Sequence, residues 1–204
     1  MLVRSAAKQI ALEAVRGAID EWRERPWDIV SRPAATAWLG FYVLFLIHAA
    51  RNTEGFLLID NVNLVIHEGG HLLFGWLGDT FGLYGGTLLQ LIVPGALAAS
   101  FAYRKHTPGT IFCLFFFFEN FLYIATYMAD ARLQDLPLVS IGGGEAVDHD
   151  WQRIFSSLGL LQHDTQIAAV VRAIGWIGML ATVAWLLWRA SQNAKSKRAH
   201  AASA

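Results

Sequence analysis

Asp60-Asn61-Val62-Asn63-Leu64-Val65-Ile66-His67-Glu68-Gly69-Gly70-His71-Leu72-Leu73-Phe74 is the stretch that decides the fold. It sets two imidazoles, four residues apart, inside an otherwise apolar run. On a helix this spacing puts both rings on one face, where they can grip one metal ion together. Glu68 adjoins the first histidine and is placed to act on a metal-bound water, the arrangement of a zinc hydrolase. Titratable groups are costly in hydrocarbon, so their presence in such a run is itself a pointer to function.

The rest of the chain is built for a bilayer. Of its 204 residues 55% are hydrophobic and only 16% charged, against about a quarter charged in soluble domains. Mean hydropathy is +0.39. Formal net charge is zero, so no basic field argues for nucleic acid. The single cysteine, Cys113, excludes an internal disulfide and a Cys-rich zinc site. The first thirty residues are charged throughout and carry no continuous apolar centre, so no cleavable signal peptide is read there.

Outward from the motif, apolar segments cover 34–50, 55–77, 83–103, 109–129 and 169–188. The expected fold is all-α, a polytopic transmembrane helical bundle of four or five membrane segments. Residues 1–33 read as an N-terminal amphipathic, interfacial helix, with Ala7, Ile10, Ala14, Val15, Ala18 and Trp22 at helical steps among arginines and a lysine. Packing on the rest of the protein explains that pattern equally well. Residues 34–188 form the membrane metal-binding bundle, with a polar loop over 130–165. Residues 189–204 read as a basic, disordered tail.

Charge argues the topology. If all five segments cross with the N-terminus inside, nine Lys/Arg fall inside and seven outside. If 55–82 dips in and returns, the counts become twelve and four. The positive-inside rule favours the second arrangement, a re-entrant segment carrying His67-Glu68-Gly69-Gly70-His71. Irregular backbone at depth is tolerated where protein or water covers it, which suits a metal cavity. The expected location is a bacterial inner membrane, with the N-terminus cytoplasmic and the site open to the other side.

Zinc needs a third protein ligand, with a position left for water. Asp130, in Tyr127-Met128-Ala129-Asp130-Ala131-Arg132, and His149, in Asp148-His149-Asp150-Trp151, are the two candidates. The one not bound would orient a ligand histidine from behind. Asp148 and Asp150 rank after them, with a solvated acidic loop as their ordinary explanation. Glu119, Tyr123, Tyr127 and Asp130 share one face of the fourth span, flanked by Asn120 and Thr126. This stripe lines the metal cavity, with Tyr127 a candidate to stabilise an oxyanion, or else it hydrogen-bonds the bundle together. Gly69 and Gly70 suggest close approach of another backbone, and Gln90 and Pro94 suggest cavity shaping or a simple kink.

The HExGH form of the motif, in a membrane segment, resembles the site-2-protease-like intramembrane zinc metalloproteases. The likeness extends loosely over 60–105. It implies zinc as cofactor, His67 and His71 as ligands, Glu68 as general base, and a membrane protein or peptide as substrate. The family's third ligand is an aspartate in an Asn-Pro-x-x-Asp-Gly setting on a later span. This chain has no such motif, and Asp130 is the nearest analogue by position. It has no PDZ-like domain either. Taken with the Tyr127–Arg132 stretch and His149-Asp150-Trp151, the motif looks like a widespread bacterial membrane family. The expected activity is a metallopeptidase. A zinc hydrolase of lipid amides or small amphiphiles is the alternative, and a non-catalytic metal-binding or transport-associated protein is the third reading.

Overall fold

The computed structural model describes the backbone of residues 2–52, 55–136 and 149–202, and the side chains of residues 8, 9, 12–52, 55–136 and 149–192. Asp148 and the Gly142–Gly144 run lie outside the described residues. Among the described residues seven α-helices follow one another and no strand occurs: α1 (Leu2–Glu24), α2 (Arg32–Arg51), α3 (Asp60–Gly75), α4 (Asp79–Tyr103), α5 (Thr107–Ala129), α6 (Asp150–Ser157) and α7 (Asp164–Ala202). Four helical stretches, α2, α4, α5 and Leu161–Gln192, are long and apolar enough to cross a bilayer. The protein is an all-helical membrane bundle. Its exposed apolar side chains, among them Leu44, Val65, Leu72, Ile92 and Ile177, are the surface that faces lipid.

The local signals explain the helix limits. Ser31 caps α2 through its hydroxyl, and proline occupies the first turn. His106 does the same for α5 with its ring nitrogen, again with proline in the first turn. α7 continues helical to Ala202, through the segment that composition reads as a tail. The stretch read as a polar loop holds α6 and a short 3-10 turn at Leu161–His163.

α3 is the exception among the apolar segments. Its 16 residues span about 24 Å, short of the ~30 Å hydrocarbon core. The contacts trace how it enters. Gly55 lies against Thr126 near the end of α5. Phe56 packs on Tyr123, ring centres 6.0 Å apart. Asn63, in the first turn of α3, bonds Glu119 near the midpoint of α5. The chain therefore descends along α5 to mid-depth and starts α3 there. α3 then climbs back: His67 packs on Tyr127, 5.8 Å between ring centres, and Gly75 meets Gly82 beyond the three-residue turn into α4. α3 is thus a half-span that returns to the face it left.

The opposite face is marked by a different cluster. The Trp22 indole N–H donates to Tyr103 carbonyl oxygen (2.8 Å), Asp28 N–H to Lys105 oxygen (2.9 Å), and Arg189 to Trp27 oxygen (3.3 Å). Lys105 sits 3.7 Å over the Trp22 ring. The end of α1, the α4–α5 turn and the end of the last span therefore share one face. A reporter fused after Gly159 is expected on the face opposite the N-terminus, and a reading on the same face as the N-terminus would contradict the half-span.

Small residues set the helix distances. A Cβ on Gly70 would collide with the backbone of Gly85 and Gly86, so α3 and α4 meet with almost nothing between them. A Cβ on Gly178 would overlap the Phe118 ring, which closes α7 on α5 in the same way. Gly69 meets only Leu89 at ordinary contact distance. Tyr42, Phe115, Leu122, Met179, Val183 and Leu186 form one core cluster. Trp151, Ile154 and Phe155 dock α6 onto Ile124, Ala125 and Met128 of α5 in a second, and this docking positions the site.

Candidate metal centre

α3 presents His67 and His71 on its inner face, ring centres 4.7 Å apart. Gly86 makes room for the first: a Cβ there would occupy the space of the His67 ring. Both Nε2 atoms converge on one carboxylate oxygen, Asp150 Oδ2, at 3.0 Å from His67 and 3.1 Å from His71. His67, His71 and Asp150 each offer a ligand atom, all within 4.8 Å of one another. That is a three-ligand set of the kind that leaves a fourth position open.

The protonation of the two rings can be read from their partners. His71 Nδ1 lies 2.8 Å from the Gly82 carbonyl, which only accepts, so that nitrogen carries the hydrogen. For His67 the chain of reasoning is longer. Asn120 donates its amide nitrogen to Phe116 oxygen (2.9 Å), which turns Asn120 Oδ1 toward Gln90. Gln90 accordingly points its nitrogen at Asn120 and its oxygen at His67 Nδ1, 2.7 Å away. His67 therefore also carries its hydrogen on Nδ1. Both Nε2 lone pairs and the Asp150 carboxylate then aim at one point. Such a set repels itself unless a proton or a metal ion stands between its members, and engaged Nδ1–H groups are the kind of outer contact that orients metal-ligating histidines.

Asp150 opens α6, and its backbone N–H donates to the Tyr127 hydroxyl (3.1 Å). Glu68 is half-buried beside this group, and its charge bears on both His71 and Tyr127.

Asp130 and His149 stand next to the three-residue group and outside it. They face each other, His149 Nε2 to Asp130 Oδ2 at 3.4 Å. Asp130 also accepts from the backbone N–H of Asp135 (2.9 Å) and Leu136 (3.1 Å). His149 caps α6, its Nδ1 accepting from Gln152 N–H (3.2 Å), which leaves its hydrogen on Nε2, toward Asp130. Burial holds His149 below the usual imidazole range, with Asp130 opposing the shift. The ring also packs on Tyr127, centres 4.2 Å apart. The pair therefore fixes the N-terminus of α6, and with it Asp150. Tyr127 packs on both His67 and His149, and its hydroxyl keeps a hydrogen to donate while accepting from Asp150.

Asp150, Gln90 and Gly82 are the contributors that motif reading ranks low or passes over. The Gly82 carbonyl leaves no side-chain signal at all. Asp150 does leave one: Trp151, Ile154 and Phe155 fall at helical spacing directly behind it and announce a short amphipathic helix with Asp150 at its start. The comparisons add no relative: no protein-family model, no curated protein and no solved structure matches this chain.

Proposed function

We propose that this protein is a membrane-embedded, metal-dependent hydrolase, and that zinc is the metal. The reading rests on one observation: two imidazoles, each with Nδ1 engaged by an oxygen acceptor, aim both Nε2 atoms at one carboxylate oxygen of Asp150. Two nitrogens and one oxygen suit zinc, and the donor set leaves space for a water and a substrate carbonyl. His67, His71 and Asp150 would hold the ion. When bound, such an ion lowers the pKa of a coordinated water and polarises a carbonyl oxygen.

The chain's own residues supply the remaining steps. Glu68 accepts a proton from the attacking water and returns it to the leaving amine. Gln90 and the Gly82 carbonyl keep both rings in the tautomer that ligation needs. Tyr127 offers its hydroxyl hydrogen to a developing oxyanion while it steadies Asp150 from the other side. Tyr127 lies two residues before the end of α5, about 3 Å along the helix axis. The scissile bond would therefore sit near the membrane boundary, where an unwound juxtamembrane peptide or a lipid amide can present a carbonyl.

A peptide amide is the substrate we favour. Purified protein in lipid should cleave a juxtamembrane peptide reporter, lose that activity with a chelator, and regain it with zinc. Cleavage of lipid amides in place of the peptide would shift the substrate class, and chelator-insensitive cleavage would contradict the metal mechanism.

A further inference from the structure

A second polar cluster lies deeper, at the buried start of α3, and the metal chemistry makes no use of it. Asp60 and Glu119 are 1% and 0% exposed. Asn63 bridges them, its amide nitrogen donating to Asp60 Oδ1 (2.9 Å) and Glu119 Oε2 (3.1 Å). Asp60 Oδ2 also accepts from Leu57 N–H (2.6 Å). The two carboxyls lie on either side of that one amide nitrogen and act on each other. Glu119 Oε1 is fully buried and has no hydrogen-bond partner among the described residues.

Donor counting decides the protonation. Two ionised carboxylates sharing one amide nitrogen, with one backbone N–H besides, would be two like charges in a low-dielectric interior. A single proton between them removes one charge and supplies the missing hydrogen bond. Asp60 already accepts two hydrogen bonds and Glu119 only one, so the proton belongs on Glu119 with Asp60 as its acceptor.

The surroundings favour a proton over a metal cation. Asn63 turns its nitrogen, a donor, toward both carboxyls, where a cation would need its oxygen. The other polar groups facing the cluster are Tyr123 and Asn120 of α5 and Arg172 of α7. Tyr123 feels the charge of Asp60 and also of Glu68 and Asp150. Asn120 is committed to Phe116 oxygen and Gln90. Arg172 lines a small cavity together with Asp60, Asn52 and Thr126. Its guanidinium donates to Thr126 (3.2 Å), and among the described residues no ion pair joins it to either carboxyl.

We propose that Asp60 and Glu119 form a proton-binding site at the centre of the bundle, one proton shared between two carboxyls, which fastens the start of the half-span α3 to α5. α3 also carries His67 and His71, and Asn63 lies one helical turn before His67. Occupancy of this site is thereby coupled to the position of the metal-binding face. The cluster stands eight residues from Tyr127 along α5, about 12 Å, so it is separate from the metal centre.

Infrared spectroscopy on metal-free protein tests this without metal or substrate. Wild type above neutral pH should show the carbonyl stretch of a protonated carboxyl, and glutamate labelled with carbon-13 should shift that band. Glu119→Gln should lose it. Sodium or zinc added to wild type should leave it in place. The proposal also fixes a sign. A carboxyl that keeps its proton folded and loses it unfolded makes the protein less stable as pH rises past the unfolded value. Thermal stability in detergent should therefore fall with rising pH in wild type, and less steeply in Glu119→Gln. No protonated carboxyl band above neutral pH, a band unchanged by Glu119→Gln, or its loss on adding a cation would overturn the proposal. Should Glu119→Gln fail to fold, the labelled wild type alone decides.

Discussion

Asp150→Ala is expected to empty the metal centre of the purified protein, while Asp130→Ala only weakens it. Asp150 Oδ2 faces both Nε2 atoms, so its removal deletes one of the three proposed ligands and leaves a pair of imidazoles on one helix. Loss of an outer contact costs about 10–100-fold in affinity, and loss of a ligand should exceed that range. Asp130 acts at one remove. It holds His149 and the chain at Asp135 and Leu136, and through them the start of α6. Its alanine variant should bind zinc less tightly, by about 10–100-fold, yet still reach full stoichiometry at high zinc. Gln90→Ala belongs with it, since the His67 ring keeps its place but loses the acceptor that fixes its tautomer. Zinc titration with elemental analysis separates these cases. Full zinc in Asp150→Ala beside empty Asp130→Ala would reverse the assignment.

Glu68→Gln is expected to leave the metal in place and remove the activity. The amide has the shape of the carboxylate but cannot take a proton from water. Loss of a general base costs about 10²–10⁴-fold in rate. The proposed ligand set, His67, His71 and Asp150, does not include Glu68, so zinc content should match wild type. The measurement is turnover of the peptide reporter beside elemental analysis of the same preparation. If turnover and zinc both survive, Glu68 is no general base. If zinc is lost with turnover, Glu68 serves in binding and the catalytic assignment falls.

Much of this architecture is legible in the chain itself, for physical reasons that differ from part to part. The spans are read easily because hydrocarbon demands long apolar runs, and α2, α4, α5 and the last span answer that demand. The half-span is read from charge: α3 alone is too short to cross, and only its return puts the end of α1, the α4–α5 turn and Arg189 on one face. The histidine pair is read from spacing, since four residues fix a helical face whatever surrounds it. The third member of the group is harder. Asp130 and His149 attract attention by residue type and by anchoring, but His149 is turned by its capping bond to Gln152 and faces Asp130. That turn leaves the next residue, Asp150, pointing at the histidines. The choice between neighbours is made by cap geometry, and cap geometry follows from where Trp151, Ile154 and Phe155 dock on α5. Gly70 follows the same pattern. Its need for close approach is visible in the sequence, while the partner, the backbone of Gly85 and Gly86, emerges only from helix packing.

X-ray absorption at the zinc edge of purified, zinc-loaded protein tests the central claim most directly. The account predicts a light-atom first shell with the outer-shell scattering of two imidazoles and one carboxylate oxygen, and no bound zinc to measure in His67→Ala. A shell without imidazole scattering, or zinc bound with the wild-type shell in His67→Ala, would contradict it.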